Sequence, residues 1–319
     1  MNLKLKGHIL KFFGFSLLIF FIIAAGSYNI NKILNENDLK IARAIRQCVR
    51  EADSTLLHTS NMKLWREYLK IVAMNLEPDL QPLVLIKFDE DVSFRNQLKS
   101  LIEWEATWHK QETEHYIYYY RWEQPPPEII LSLQDAHFND IAGLFDIQAE
   151  EKIPYRYDPK VKEGRVFPFE DLRGGIISNH PFDLEKGARA IFYLVNAHAP
   201  FLILPLARIY GTYYHNESTA ATYFNMCLKQ ISKKGYISMM ELYNQCEDTE
   251  FTPEEFYSAY AFTYEITRKF GPPKVKQFLQ RVHCKMEKTE FITAFEEVFQ
   301  LNLEDFENRF RGDVTAIKM

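Results

Sequence analysis

The side chains whose types suit metal chemistry lie in one stretch of the sequence. They are His180, His198 and His215, with the carboxylates of Glu185 and Glu217 nearby. Imidazole and carboxylate groups are common ligands of zinc in proteins. The separations of these residues match no metal-binding motif, however, and an isolated histidine is usually a hydrogen-bonded structural residue. The sequence therefore offers, at most, the ligands of an unusual metal site.

Other catalytic arrangements are absent from the sequence. It contains no Ser/His/Asp or Cys/His arrangement and no glycine-rich phosphate loop. Its four cysteines, Cys48, Cys227, Cys246 and Cys284, are too dispersed for a zinc knuckle or a redox CxxC pair. They are interpreted as buried or free thiols, or as including one disulfide if the chain is exported. The net charge is −5, and the basic residues form no continuous face. Nucleic acid is therefore excluded as a partner.

A buried helix that begins just after His180 is the element that must position the metal-binding candidates. Asp183 is placed to cap its free backbone N–H groups, and Glu185 lies in its positively charged first turn. Its buried face is predicted to hold Gly187, Ile191, Leu194, Val195 and His198. A second apolar helix is predicted to start near Pro205.

These two helices resemble those of the gluzincin metallopeptidases of the peptidase MA-like type. In that family one helix carries HExxH, and the next carries a pattern similar to LPxWLxEGxAxY. The segment Leu204–Tyr214, LPLARIYGTYY, follows the second pattern in Leu204, Pro205, Gly211 and its closing tyrosines. The turn Arg268–Lys274 is similar to the family's (K/R)FGxxK turn.

The resemblance fails at the residues that would bind zinc. Alignment of the hydrophobic ends of the helices puts Gly187, Ala188 and Ile191 where His, Glu and His belong, and Tyr210 where the third ligand, a glutamate, belongs. Two imidazoles at i and i+4 bind zinc together, and the glutamate activates the bound water. The residues present supply neither function. The sequence therefore predicts no catalytic residue, no metal and no cofactor, and an active-site cleft that is filled by apolar or aromatic neighbours.

A protein of this kind, a pseudoenzyme, can still use the family's cleft to bind a peptide or protein ligand. The residues predicted to line the cleft are Glu185, Arg189, Tyr213, Tyr214 and Ile176. We expect an extended peptide to add to the edge strand near Ile176, and Glu185 to pair with Arg189. The alternative is an active zinc metallopeptidase with ligands among the three histidines named above.

The fold class predicted from the sequence is α+β and mostly helical. A zincin-like domain, with a small sheet plus helices and a C-terminal helical subdomain, is assigned to residues 113–319. Its predicted elements are strands over His115–Tyr120, Lys152–Tyr157 and Gly174–Ser178, and a helix over Glu128–Phe145.

Capping signals define the helices of the C-terminal subdomain. The run Thr252-Pro253-Glu254-Glu255 is a capping box with proline at the first helical position, and it predicts a helix that ends at Phe270. Asn302 is predicted to cap the last helix.

Residues 29–112 are interpreted as a small helical or α+β region. Helices are predicted over Asn35–His58 and from Asn61, and a buried strand over Pro82–Phe88. A third hypothesis is that the protein is an envelope adaptor, which binds a partner through Asn35–Trp108.

Residues 1–28 are predicted to be a signal-anchor. Lys4, Lys6 and Lys11 precede or flank an uncharged apolar run, so that residues 9–25 form one tilted membrane helix with the basic side in the cytoplasm. The soluble part then lies on the periplasmic or extracellular side of the membrane. A cleaved signal peptide and secretion is the alternative.

Overall fold

The computed structural model describes residues 86, 89–90, 92, 95–96, 108–121, 125–169, 174–196, 198–212, 217–245 and 251–316. The chain divides into two compact units, Met1–Ala106 with Glu170–Leu172, and Thr107–Phe169 with Arg173–Met319. In the described residues, no helix has the length and apolar character needed to cross a membrane. The predicted membrane helix over residues 9–25, the helices from Asn35 and Asn61 and the adaptor surface lie largely or wholly outside the described residues.

In the first unit, the predicted buried strand over Pro82–Phe88 is contradicted at Ile86, the residue of that range that the structure describes. Ile86 lies in a helix, and 50% of its surface is exposed. A run of apolar residues alone does not distinguish a strand from part of a helix, which accounts for the error.

In the described residues, the second unit contains a mixed sheet of five strands. The strands are β1 (His109–Glu112), β2 (Tyr116–Tyr120), β3 (Ile153–Tyr157), β4 (Arg165–Phe167) and β5 (Gly175–Ser178). Their order across the sheet is β1-β2-β3-β5-β4. Strands β2, β3 and β5 are parallel, and β1 and β4 are antiparallel to their neighbours. β1 covers the last four residues of the predicted 29–112 region, and it pairs with β2.

The predicted strands β2, β3 and β5 are confirmed, but the predicted edge of the sheet is wrong. Ile176 pairs with Tyr155 on one side and with Val166 on the other, so β5 is an internal strand. The edge beside β5 is β4, which the sequence analysis did not predict. With only three residues, β4 is too short to show a period-2 pattern.

Two helices cover one face of the sheet. Helix α1 (Glu128–Phe145) makes the crossover from β2 to the parallel strand β3, and α2 (Leu184–Val195) follows β5. The ring of Tyr116 on β2 packs edge-on against Phe138 of α1, with 6.2 Å between the ring centroids. Both helices were predicted from the sequence and are confirmed.

The remaining elements are helical, as predicted for the C-terminal subdomain. They are α3 (Pro200–Ala207), a π-turn (Arg208–Thr212), α4 (Glu217–Lys234), α5 (Met239–Leu242), α6 (Pro253–Phe270), α7 (Pro272–Arg281), α8 (Lys288–Phe299) and α9 (Leu303–Ala316). Their core is largely aromatic and includes Phe262, Phe278, Phe291, Phe295, Phe299 and Phe306. Such rings supply large apolar areas together with specific edge and face contacts.

The capping signals are confirmed and one helix start is corrected. The capping box of Thr252 and Glu255 begins α6, and the Asn302 side chain accepts a hydrogen bond from the backbone of Asp305 at the start of α9. Helix α3 begins at Pro200 and not near Pro205, which lies inside it. Proline favours the first helical position, and the wrong one of two nearby prolines was assigned to it.

A buried carboxylate joins α9 to the segment between α4 and α5. Glu307 is 4% exposed. It accepts hydrogen bonds from the Tyr236 hydroxyl at 2.9 Å, the Ser238 hydroxyl at 2.5 Å and the Met239 amide at 2.7 Å. Burial raises the pKa of Tyr236 well above its ordinary value, and the Glu307 carboxylate adds to this, so the phenol remains a donor.

We expect Glu307→Gln to lower the free energy of unfolding by about 2–3 kcal/mol, because hydrogen bonds to a charged acceptor are lost in a buried site. Urea unfolding followed by circular dichroism measures the change. Glu304→Gln, an exposed change on the same helix, is the control and should stay within about 0.5 kcal/mol. Equal stabilities of the two variants would contradict the role of Glu307.

Candidate functional site

Helix α2 is fixed at both ends by side-chain hydrogen bonds. The Asp183 carboxylate accepts from the Lys186 amide at 2.9 Å, and it also forms an ion pair with the Lys186 side chain. At the other end, the Asn196 side-chain amide donates to the carbonyls of Leu279 at 2.6 Å and Val282 at 2.5 Å. The helix is therefore held firmly between the sheet and α7.

The histidines considered as metal ligands are not brought together. His180 and His198 are both exposed, and they flank opposite ends of α2. At about 1.5 Å of rise per residue, the 12 residues of that helix put about 18 Å between its ends. In the part of the chain that the structure describes, no three His, Cys, Asp or Glu side chains are grouped as a metal site would require. His215, Tyr213, Tyr214 and the side chain of Glu217 lie outside the described residues.

His198 was predicted to lie on the buried face of α2, but it lies beyond the end of the helix. The helix ends at Val195, and Asn196 adopts an extended backbone as its C-cap. The prediction extended the apolar period past the true end of the helix.

The positions at which the resemblance would place the zinc motif are buried. Ala188 and Ile191 have no exposed surface, and Gly187 is also buried. The side chain of Gln134, on α1, covers Gly187. A Cβ atom added to Gly187 would lie 2.2 Å from Gln134 Nε2, well inside van der Waals contact, and 3.5 Å from the Tyr116 hydroxyl. The space next to Gly187 is therefore occupied by the end of the Gln134 side chain, which must shift before a larger residue can fit.

Gln134 is a residue of this site that the sequence analysis missed. It is fully buried, and its Nε2 donates to the Tyr116 hydroxyl at 3.4 Å. The available signal was its spacing, because Gln134 precedes Phe138 and Ile141 by four and seven residues on the buried face of α1. A polar residue in that register indicates a specific contact inside the core.

Tyr210 lies in the π-turn and packs against both α1 and α2. Its ring is 8% exposed and makes edge contacts with Phe145 and Phe192, at centroid distances of 4.9 and 6.1 Å. The buried His137 on α1 donates from Nε2 to the Tyr210 carbonyl at 2.9 Å. Short π-helical turns are frequent at functional sites, but here the position at which the resemblance would place a third ligand holds an aromatic ring within the core.

Gly211 allows the π-turn to lie directly on the first turn of α2. A Cβ atom added to it would be 2.4 Å from the Glu185 Cα and 2.7 Å from the Leu184 carbonyl oxygen. Next to this contact, the Glu185 carboxylate binds Arg208 at 2.9 Å and the Thr212 hydroxyl at 2.9 Å. The close crossing fixes the π-turn relative to α2.

The predicted pairing of Glu185 with Arg189 is replaced by other contacts. Glu185 binds the π-turn, as described, and the Arg189 guanidinium donates to the Tyr193 hydroxyl, from Nε at 3.0 Å and from a terminal nitrogen at 2.8 Å. Favourable i, i+4 spacing contributes only a few tenths of a kcal/mol, which tertiary partners easily exceed. Both residues remain partly exposed beside the buried centre.

Three tyrosines of the sheet, Tyr116, Tyr118 and Tyr155, contact one another beside Gln134 and Gly187. Tyr118 and Tyr155 are paired in register on β2 and β3, with stacked rings 4.9 Å apart, and the Tyr155 hydroxyl donates to the His180 carbonyl at 2.8 Å. Burial raises the pKa of Tyr116, Tyr118 and Tyr155 well above the ordinary value. All three phenols are therefore neutral at physiological pH, and none is suited to act as a general base.

No protein family, curated protein or solved structure matches this chain. The resemblance to the peptidase MA-like gluzincins therefore stays a prediction.

The cysteines occupy two different environments. Cys284 is disulfide-bonded, and its partner lies outside the described residues, whereas Cys227 is free and buried in α4. Burial raises the pKa of the Cys227 thiol to about 12. The disulfide matches the alternative that the sequence analysis attached to an exported chain.

We expect Cys227 to resist alkylation by iodoacetamide at pH 8 in the folded protein. Because its pKa is raised, the reactive thiolate is scarce at any pH well below 12, and unfolding returns the pKa to near 9 and exposes the sulfur. Mass spectrometry of the Cys227 peptide, labelled with and without urea, measures the protection. Labelling that proceeds equally fast in both conditions would contradict the buried environment.

Proposed function

We propose that this chain is an exported, membrane-tethered protein whose 113–319 region is a zincin-like binding module without catalytic activity. The observation that carries the proposal is the contact of Gln134 with Gly187. It fills the space that a first zinc ligand would need, while Ile191 and Tyr210 supply apolar and aromatic surface at the other ligand positions. A peptidase of this class needs an open, wet metal position in the same place.

Two further observations support the proposal. The disulfide of Cys284 is the kind of bond that persists in oxidising, extracytoplasmic compartments. Apart from β4, the order β2, α1, β3, β5 and α2 follows the strand, helix, strand, strand and helix order that the resemblance implies, although β5 is internal and not the edge strand expected there. Membrane tethering and export are part of the proposal because the sequence of residues 1–28 predicts a signal-anchor.

The ligand proposed for this module is an extended polypeptide that pairs with β4. Strand β4 pairs with β5 and lies at the edge of the sheet, so its other side is not paired with any strand in the described residues. An extended peptide can bind such an edge through its main chain and does not need a catalytic centre. The proposed binding edge is therefore Arg165–Phe167 and not the segment near Ile176.

Metal analysis and proteolysis test the absence of catalysis. The full-length protein, purified in detergent, is analysed for zinc and incubated with casein, with and without a chelator; an HExxH peptidase under the same conditions is the positive control. We expect no stoichiometric zinc and no chelator-sensitive cleavage. One zinc per chain together with cleavage that the chelator stops would overturn the proposal.

Photo-crosslinking tests the binding edge separately. A photoreactive phenylalanine derivative replaces Arg165 on β4 or, as the control, the exposed Ser132 on the outer side of α1. With reduced, unfolded casein as the probe, we expect crosslinks from position 165 and not from position 132. Equal crosslinking at both positions would mean that β4 is not a specific binding edge.

A further inference from the structure

A groove separate from α2 lies at the C-terminal end of α6. It has a volume of about 260 Å³, and α6, α9 and the turn between α8 and α9 form its walls. Its charged residues are Glu265 and Lys269 on α6, and Asp305 and Arg309 on α9. Leu301, Phe306 and Phe310 supply its apolar surface.

Three of the four charged groups in this groove are available to a ligand. The Glu265 carboxylate is already bound by Arg268 through two hydrogen bonds, of 3.0 and 2.7 Å. Lys269, Asp305 and Arg309 are exposed, and within the described part of the chain their side chains make no ion pair or hydrogen bond. The groove therefore presents two cations and one carboxylate.

Lys269 is held in place without a charged partner. Its ammonium nitrogen lies 5.4 Å from the centroid of the Phe270 ring and 5.5 Å from that of Phe306, in cation–π contacts. Asp305 and Arg309 are four residues apart on α9, so they project from the same side of the helix. The charges of both walls thus border the aromatic floor.

We propose that this groove binds a free α-amino acid with an apolar side chain. The α-carboxylate binds Lys269 and Arg309, the α-ammonium group binds Asp305, and the side chain contacts Leu301 and Phe306. The volume falls below the range of about 300–1,000 Å³ typical of sites for drug-sized ligands, which favours a small ligand. A peptide terminus carries only one of the two charges, and a polyanion would be repelled by Asp305.

Isothermal titration of the full-length protein with L-leucine, L-valine and L-phenylalanine tests the proposal. We expect at least one of the three to bind. Its N-acetyl derivative, which lacks the ammonium group, and its amide, which lacks the carboxylate, should each bind about tenfold more weakly, because each loses a charge-assisted hydrogen bond. No binding of any of the three, or equal binding of a capped derivative, would overturn the proposal.

Variants assign the contacts. Arg309→Gln and Lys269→Gln should each weaken amino-acid binding about tenfold, whereas Lys274→Gln, an exposed lysine on α7, is the control and should leave it unchanged. Asp305→Asn should weaken binding of the amino acid but not of its N-acetyl derivative. A uniform effect of all four variants would contradict the assignment, and thermal melts verify that each variant is folded. The groove lies apart from α2 and β4, so this result does not depend on the function proposed above.

Discussion

Gly211→Ala is expected to lower the free energy of unfolding by about 3 kcal/mol or more. The added methyl group meets the backbone of α2, at 2.4 Å from the Glu185 Cα, and a backbone cannot rotate aside as a side chain can. Overpacking of this kind costs about 1–3 kcal/mol and occasionally more. The π-turn must therefore move away from α2 and lose its contacts with Glu185. Chemical denaturation followed by circular dichroism measures the loss.

Gly143 provides a matched control for this prediction. It lies inside α1, and a Cβ atom added there would meet nothing within 4 Å. Because alanine favours a helix over glycine by about 0.8–1.0 kcal/mol, Gly143→Ala should stabilise the protein slightly. If the two glycine variants change stability in the same direction, the close crossing at Gly211 is not what requires glycine.

Introducing the zinc motif is expected to destabilise the protein, and zinc should not reverse the effect. In the variant Gly187→His, Ala188→Glu, Ile191→His and Tyr210→Glu, the new histidine at 187 collides with Gln134, and polar groups replace buried apolar ones. Loss of a buried aliphatic side chain and burial of unpaired polar groups together cost about 4 kcal/mol or more. Thermal melts in chelator and in zinc measure both parts of the prediction.

Gln134→Ala identifies the side chain that closes the site. If the amide of Gln134 fills the space, removing it should recover part of the stability lost in Gly187→His, and the two changes should be strongly non-additive. Strict additivity would mean that Gln134 does not fill the position. A variant with the introduced motif that melts no lower than the parent in chelator and gains stability with zinc would mean that this position is open to a metal ion.

The parts of this fold that were predicted from the sequence are those set by local interactions. The Asp183 cap, the capping box of Thr252 and Glu255 and the cap at Asn302 all act within one helical turn, and all are present in the structure. The strands β2, β3 and β5 follow from β-forming residues within a few positions of one another. Such signals do not depend on the rest of the chain.

The parts that were not predicted depend on contacts between distant residues. Pairing of Val166 with Ile176 makes β4 the edge strand. The three residues of β4 contain no local pattern that predicts β5 as their partner. The contact between Gln134 and Gly187 joins residues of two helices that are far apart in the sequence. In the same way, the partners of Glu185 come from the π-turn, which local spacing along α2 does not reveal.

The carboxylate of Glu307 also determines when the C-terminal helices can complete their fold during synthesis. Its three donors, on Tyr236, Ser238 and Met239, leave the ribosome about 70 residues before Glu307 does. Until α9 has emerged, these donors lack their native acceptor, and Phe262 and Phe295 lack the ring of Phe306. The helical subdomain therefore cannot reach its native packing on a nascent chain that stops short of α9.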